Sequence, residues 1–318
     1  MAKIPPLLAR LNRVDYGARG INLYHFRAAT GELLPGAEPG AHIDVKINDT
    51  YTRQYSLINS GDELDEYVIG VRCDLNGRGG SRFLHENSVV GNLYELSQPR
   101  NNFPLVDVDT PVFLLAGGIG ITPLINMYRK LDRLGRPVSL HYWARTPEDF
   151  LFFEELKSRE NVKLIVAGDN PVSSVTVGQV AASASSETHL YCCGPATMLD
   201  EFTAQCADRA PEFVHLERFT ATAVDPQIAR EGFKVTLARS GVVLDVPPSR
   251  SILDVCLEEG IDVDYSCEEG TCGACEVKVV SGAVTHCDSV RTAAEHDAHA
   301  TMTICCSRAR DCELVLDI

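Results

Sequence analysis

Four cysteines near the C-terminus constrain the fold more than any other feature of the chain. They read Cys267-Glu-Glu-Gly-Thr-Cys272-Gly-Ala-Cys275, followed by Cys305 after a gap. A C-x4-C-x2-C…C spacing holds a [2Fe–2S] cluster by four thiolates, three from one tight loop and one from a remote segment. Gly270, Gly273 and Ala274 suit such a loop, because its amides must approach the sulfides with no side chain in the way. A zinc ribbon uses paired C-x2-C knuckles, and Cys272-x2-Cys275 has no second knuckle to pair with. The chain is therefore expected to carry electrons, and a thiolate cluster belongs in a reducing, cytoplasmic compartment. Cys73, Cys192, Cys206, Cys256, Cys287, Cys306 and Cys312 are expected as small buried or half-buried residues.

A length of 318 residues allows two or three domains with real cores. No apolar run approaches a membrane span, and Met1-Ala-Lys-Ile-Pro-Pro leads into mixed sequence without the apolar core of a signal peptide. A net charge of −15 argues against nucleic acid or an anionic membrane as partner. Residues 232–318 hold 7 Lys/Arg against 15 Asp/Glu, a net of −8. That charge would steer the segment toward a basic patch on another protein, or simply keep it solvated. His286, His296 and His299 could suggest a metal, but surface histidines are the expected reading.

Three composition zones organise the chain. Residues 1–108 alternate apolar and polar positions in short runs such as Ile21–Phe26, Ala41–Ile47, Thr52–Ile58 and Tyr67–Arg72, with turn residues every ten or so positions. This predicts an antiparallel β-barrel. Residues 109–222 alternate strands (Pro111–Ala116, Val138–Trp143, Val162–Ala167, His189–Cys193, Phe213–Phe219) with helices, as in a parallel sheet covered on both faces. The first of those helices carries Leu124, Met127, Tyr128, Leu131 and Leu134 on one stripe and stops at Gly135; another begins near Pro147. Residues 223–231 lack periodicity and read as a linker. Residues 232–318 run strand, strand, helix, cluster loop, strand, strand, the order of a β-grasp fold.

Two motifs carry further chemistry. Gly117-Gly-Ile-Gly-Ile-Thr-Pro123 joins a buried strand to a helix, where amides and the helix N-terminus favour a pyrophosphate. A purely structural tight turn would look similar. Tyr191-Cys-Cys-Gly194-Pro195 ends a later strand and would face the same crevice. Arg53-Gln-Tyr55-Ser56, with Gly77-Arg-Gly79-Gly80-Ser81 ahead of a short helix, offers a cation, an aromatic face, a hydroxyl and an amide-rich anion site. A flavin mononucleotide needs all four, although an ordinary strand with a salt bridge also fits Arg-x-Tyr-Ser.

Taken in order along the chain, these motifs resemble the phthalate dioxygenase reductase family, whose members serve phthalate, vanillate and phenoxybenzoate Rieske oxygenases. The resemblance covers essentially the whole chain. It implies a ferredoxin reductase-like pair of domains, binding FMN (1–108) and NAD (109–222), and a plant-type [2Fe–2S] domain at 232–318. It places Arg53, Gly79, Gly80 and Ser81 on the FMN phosphate, Tyr55 against the isoalloxazine and Ser56 near its reactive nitrogen. Gly118, Gly120, Thr122 and Gly194 would hold the dinucleotide, with Cys193 beside the nicotinamide. Phe219 would pack on the flavin, a core residue being the other reading. Cys267, Cys272, Cys275 and Cys305 are the implied cluster ligands, with Cys306 a thiol beside the last of them.

The expected path is NADH to FMN to [2Fe–2S] to an external acceptor. Hydride carries two electrons and the cluster takes one at a time, so a flavin must stand between them. No Rieske ligand pair and no carboxylate–histidine iron site is visible in the sequence, so the acceptor is expected to be a separate protein, which the resemblance implies is a Rieske oxygenase component. Glu148 and Asp149 after the second strand of the parallel sheet favour NADH, whereas Arg145 could attract the 2′-phosphate of NADPH. An FAD-binding reductase of a diiron monooxygenase is the alternative, and nothing in the sequence demands more than a monomer.

Overall fold

Alternating apolar side chains make the first hundred residues fold as short antiparallel strands. In this computed structural model, which describes residues 5–107, 109–168, 175–219, 231–291 and 293–318, the strands are β1 (Leu7–Ala18), β2 (Ile21–Ala28), β3 (Leu34–Ala37), β4 (His42–Lys46), β5 (Thr52–Ser56), β6 (Gly61–Leu64) and β7 (Tyr67–Arg72). Helix α1 (Gly80–Asn87) and β8 (Leu93–Leu96) follow. Six strands form one sheet in the order β5-β4-β8-β1-β2-β7, while β3 pairs with β6. A bridge from Leu57, just past β5, to Ile69 in β7 joins the two edges and closes the barrel. Leu11, Phe26, Ile43, Tyr67 and Leu96 fill its interior.

Past Pro111 the pattern switches to strand and helix. The elements are β9 (Val112–Gly117), α2 (Ile121–Arg133), β10 (Val138–Ala144), α3 (Phe153–Leu156), β11 (Val162–Val166), α4 (Val177–Ser183), β12 (His189–Cys193), α5 (Ala196–Gln205) and β13 (Val214–Glu217). The sheet is parallel throughout, in the order β11-β10-β9-β12-β13. Central strand β9 is buried on both faces: Leu114 joins the core under α2, and Leu115 joins the one under α4 and α5. At Pro147 the chain makes only a 3-10 turn (Pro147–Asp149), and α3 is four residues long.

Helix α2 ends as Gly135 predicts. That glycine has φ 66°, its N–H donates to Asp132 O, and Arg136 N–H donates to Leu131 O, both at 3.0 Å. Leu134 departs from expectation: as the C-cap it lies beyond the buried stripe and is 53% exposed. Every residue from Ile121 to Tyr128 is buried, because α2 is enclosed between the sheet and the barrel. The Asn126 amide donates to Leu57 O (2.9 Å), and Arg129 donates to Ile58 O (3.0 Å) while pairing with Glu155.

The chain divides into two compact units, Met1–Glu217 and Arg218–Ile318, so barrel and parallel sheet share the first. Of the expected linker, 223–230 lies outside the described residues. The second unit contains β14 (Phe233–Leu237), β15 (Val243–Val246), α6 (Ile252–Glu258), β16 (Glu276–Ser281), β17 (Val284–Thr285), α7 (Ala293–Ala298), β18 (Thr301–Thr303), β19 (Arg308–Ala309) and β20 (Glu313–Leu316). Its sheet order is β15-β14-β20-β16-β18, with β20 parallel to β14. Helix α6, capped by Ser251 and Asp254, lays Ile252, Leu253, Val255 and Cys256 on that sheet. This is the β-grasp arrangement.

Of the seven cysteines expected inside, Cys192, Cys206, Cys256 and Cys287 are buried and Cys73 and Cys306 half-buried. Cys312 is exposed, because it sits in the bend between β19 and β20. Among the described residues no helix is long and apolar enough to cross a membrane.

Candidate flavin, nucleotide and cluster sites

Strand β5 presents Arg53 and Tyr55 on one face and ends at the buried Ser56, which lies opposite His42 of β4. Gly79 has φ 88° and starts α1; a Cβ there would stand 2.8 Å from the Tyr51 hydroxyl. At Gly80 a Cβ would stand 2.8 Å from Arg53 Cγ. The two missing side chains thus let Arg53 lie against the N-terminus of α1, its guanidinium 5.3 Å from the Tyr51 ring centre. No side chain caps that terminus. Uncapped amides beside a fixed cation make an anion seat. Ser81 Oγ accepts from Asp74 N–H (3.1 Å) and braces the loop. The Tyr55 hydroxyl is enclosed without a hydrogen-bond partner, and burial pushes its pKa up, so it stays a neutral phenol. An orphaned phenol beside an anion seat fits a flavin nucleotide, whose polar ring edge would satisfy it.

A cavity of about 580 Å³ opens at the C-terminal ends of β9, β10 and β12, where the strand order reverses. Arg72 and Cys73 of the barrel line it, as do Gly118, Trp143, Arg145, Met198 and Glu201 of the α/β part. The barrel is tied to its rim by Arg19, which donates to both Asp149 oxygens (2.9 Å each) and to Thr146 Oγ1 (3.0 Å). Asp149, expected near a ribose, is thus committed to that clamp, while Arg145 stays exposed at the rim.

The expected dinucleotide residues divide into two groups. Gly118, with φ 54° and open space where a side chain would be, faces the cavity. Gly120 lies against the Cys193 carbonyl, which occupies the place of a Cβ, and Gly194 packs against Gly117. Thr122 is buried and donates to Ile119 O (2.9 Å). Gly120 and Gly194 therefore let the β9 and β12 turns press together, while Thr122 closes its own turn and faces Gly70 of the barrel.

Cys193 is fully buried at the end of β12, in register with Glu217 of β13. Burial, then the nearby carboxyl, holds its thiol well above the ordinary value. Glu217 is half-buried, with Oε2 enclosed and unbonded, and burial raises its pKa to about 8. Phe219 is 42% exposed, which removes the core reading.

In the second unit the four expected ligands converge. Cys267, Cys272, Cys275 and Cys305 are buried; the Cys267 thiol reaches those of Cys272 and Cys305, and Cys305 also reaches Cys275. This crowding pulls Cys267 below the ordinary thiol pKa and pushes Cys272 and Cys305 above it. Four sulfurs so close ionise together only around cations, as iron would supply. Glu268, Gly270 and Gly273 take positive φ (57°, 72° and 70°), winding the loop so that Glu269 and Thr271 N–H donate to Cys267 Sγ and Ala274 N–H to Cys272 Sγ, each at 3.4 Å. Cys306 instead points at Gly270 and lies 3.2 Å from Thr303 Oγ1. The arrangement fits a [2Fe–2S] cluster with Cys305 as fourth ligand.

Sequence reasoning missed Arg19, Asn126, Arg129 and the titratable Glu217. Of the three C-terminal histidines, His286 and His296 are half-buried, with side chains 24% and 11% exposed, while His299 is exposed.

Comparison with known proteins accords with this geometry. Residues 235–310 match the 2Fe-2S iron-sulfur cluster binding domain family. The chain is 38% identical over 317 residues to phenoxybenzoate dioxygenase subunit beta of Ectopseudomonas oleovorans, covering 100% of this chain and 99% of the relative. It is 40% identical over 309 residues to tetrachlorobenzoquinone reductase of Sphingobium chlorophenolicum, covering 95% and 94%. Among solved structures, phthalate dioxygenase reductase, described as modular for electron transfer from pyridine nucleotides to [2Fe–2S], matches with a TM-score of 0.72 and 36% identity over 98% of both chains.

Proposed function

Because the chain belongs to the phthalate dioxygenase reductase family, a group of pyridine-nucleotide-dependent flavin and iron–sulfur oxidoreductases, we propose that it draws electrons from NADH through FMN and a [2Fe–2S] cluster for a separate Rieske-type oxygenase component. The setting is aromatic-acid catabolism in the cytoplasm, and the working form is a monomer. One observation carries this reading: the cavity at the strand ends is walled by both barrel and α/β sheet, so a nicotinamide seated there meets the flavin-binding body.

When bound, FMN supplies the conversion of a hydride pair into single electrons. The protein's own residues position and exclude. Arg53, Gly79, Gly80 and the α1 N-terminus hold the flavin phosphate, with Ser81 bracing that loop. Tyr55 and Ser56 face the ring. Gly118 gives the dinucleotide room, while Gly120 and Gly194 set the width of its crevice and Thr122 closes its own turn. Cys193, a neutral thiol, lies beneath the nicotinamide subsite, and the exposed ring of Phe219 suits the aromatic that the family pattern sets against the flavin. No side chain need move a proton for hydride transfer. Cys267, Cys272, Cys275 and Cys305 hold the cluster, and loop amides aimed at sulfur tune it.

An anaerobic NADH titration followed by absorbance and EPR tests the proposal. Bleaching of the flavin together with a reduced-cluster signal is expected; a cluster that NADH does not reduce would overturn it. Acid extraction should release FMN, and release of FAD would favour the diiron-monooxygenase alternative. The likeness to tetrachlorobenzoquinone reductase supports a second reading, direct reduction of a small quinone. In that case NADH consumption with a quinone would survive loss of the cluster.

A further inference from the structure

We propose that His286, Asp288 and His296 form a second metal site in the C-terminal unit, a three-ligand site for Zn2+ distinct from the four cysteines. The donor atoms of the three side chains lie within 4.8 Å of one another. Asp288 Oδ1 is 3.9 Å from His286 Nδ1 and 3.3 Å from His296 Nε2. Two ligands of a tetrahedral zinc, each bound at about 2.0–2.1 Å, stand about 3.4 Å apart, so on binding the three donors draw together from within 4.8 Å and the stacked rings turn to aim at one point. Two imidazoles and one carboxylate are also a donor set that zinc accepts with a fourth position left open.

The carboxylate is held for the purpose. The Asp288 side chain is 1% exposed, and its Oδ2 accepts from the N–H groups of Val290 (3.2 Å) and Arg291 (3.3 Å). Ser307 Oγ donates to Oδ1 at 3.4 Å. Arg291 in turn grips Glu276 of β16 at 2.7 and 3.0 Å, pinning the loop. Contacts of this kind fix a metal-binding carboxylate before the ion arrives. The histidines are less well satisfied. Their rings stack with centres 3.7 Å apart and planes 16° from parallel, and His286 Nδ1 and both His296 nitrogens are enclosed without a hydrogen bond of good geometry. Buried polar atoms normally find partners, and a shared cation would take one nitrogen from each ring.

The ion would clip α7, which carries His296, to the loop at 286–291. Ser289 in that loop donates through N–H (2.8 Å) and Oγ (3.4 Å) to Gly270 O in the cluster loop. Zinc would therefore brace the cluster loop from behind without touching a cysteine.

The test is titration of the intact holoprotein, flavin and cluster in place, with zinc chloride alone, read by calorimetry and by zinc K-edge absorption. The expected result is one zinc per chain, nitrogen and oxygen neighbours at about 2.0–2.1 Å, and unchanged cluster absorbance. His286→Ala and His296→Ala should each weaken binding at least a hundredfold, while His299→Ala, altering the exposed neighbour, leaves it unchanged. These variants spare Asp288, whose backbone contacts hold the loop. No stoichiometric binding, wild-type affinity in His296→Ala, or sulfur neighbours with bleaching of the cluster would each overturn the proposal.

Discussion

At the scale of single residues, the cluster cage and the Cys193–Glu217 pair show opposite uses of burial. In the cage, four sulfurs are packed so tightly that ionisation calls for metal. Replacing Cys272 with Ser should abolish cytochrome c reduction while NADH still bleaches the flavin; retained cytochrome reduction would contradict the linear path. Beside the crevice, burial alone keeps Glu217 protonated to about pH 8. Its unfolded-state value is near the ordinary 4.5, so between those values the folded protein holds a proton that the unfolded chain releases. Stability contributed by this group is full below pH 4.5 and declines as pH rises toward 8. Across pH 5–8 the melting temperature of the wild type should therefore fall relative to that of Glu217→Gln, and parallel curves would refute the assignment.

At the scale of elements, legibility followed the range of the interaction that makes each element. The cysteine loop was readable because its ligand geometry is imposed within nine residues, and Gly135 because a helix stop is a local backbone event. Helix α4 went unread: seven residues are too few for a periodic stripe. The available signal was the capping box, in which Thr176 Oγ1 accepts from Gln179 N–H and the Gln179 side chain returns to Thr176 N–H. Gly120 and Gly194 read as dinucleotide-binding glycines; the contact they permit between two turns far apart in sequence was not legible. His286, Asp288 and His296 meet only through tertiary folding, so their spacing carries no pattern. The docking of α2 on the barrel was hidden for the same reason. Asn126→Ala would strip the buried Leu57 carbonyl of its donor, at a cost of about 1–3 kcal/mol. A lowered denaturation midpoint with an unchanged m-value is the expected reading; an unchanged midpoint would mean that the bond contributes nothing.

At the scale of the whole molecule, the excess negative charge and the four cluster cysteines lie in the same unit. Residues 232–318 carry a net −8 of the chain's −15. Asp264 and Glu268 are exposed on either side of the buried ligand Cys267, with Tyr265 45% exposed between them. Acids placed next to the point of electron exit raise the encounter rate with a basic acceptor, and salt screens them over a Debye length of about 10 Å at 0.1 M. Reduction of cytochrome c, a basic protein, should slow as ionic strength rises. Bleaching of the flavin by saturating NADH, an event within the first unit, should not change. Asp264→Lys with Glu268→Lys should slow cytochrome c reduction several-fold and flatten its salt dependence, with cluster absorbance and flavin bleaching retained. Were the double variant to keep the wild-type salt slope, the acidic surface would be a solvating one, and the docking face would lie elsewhere on the molecule.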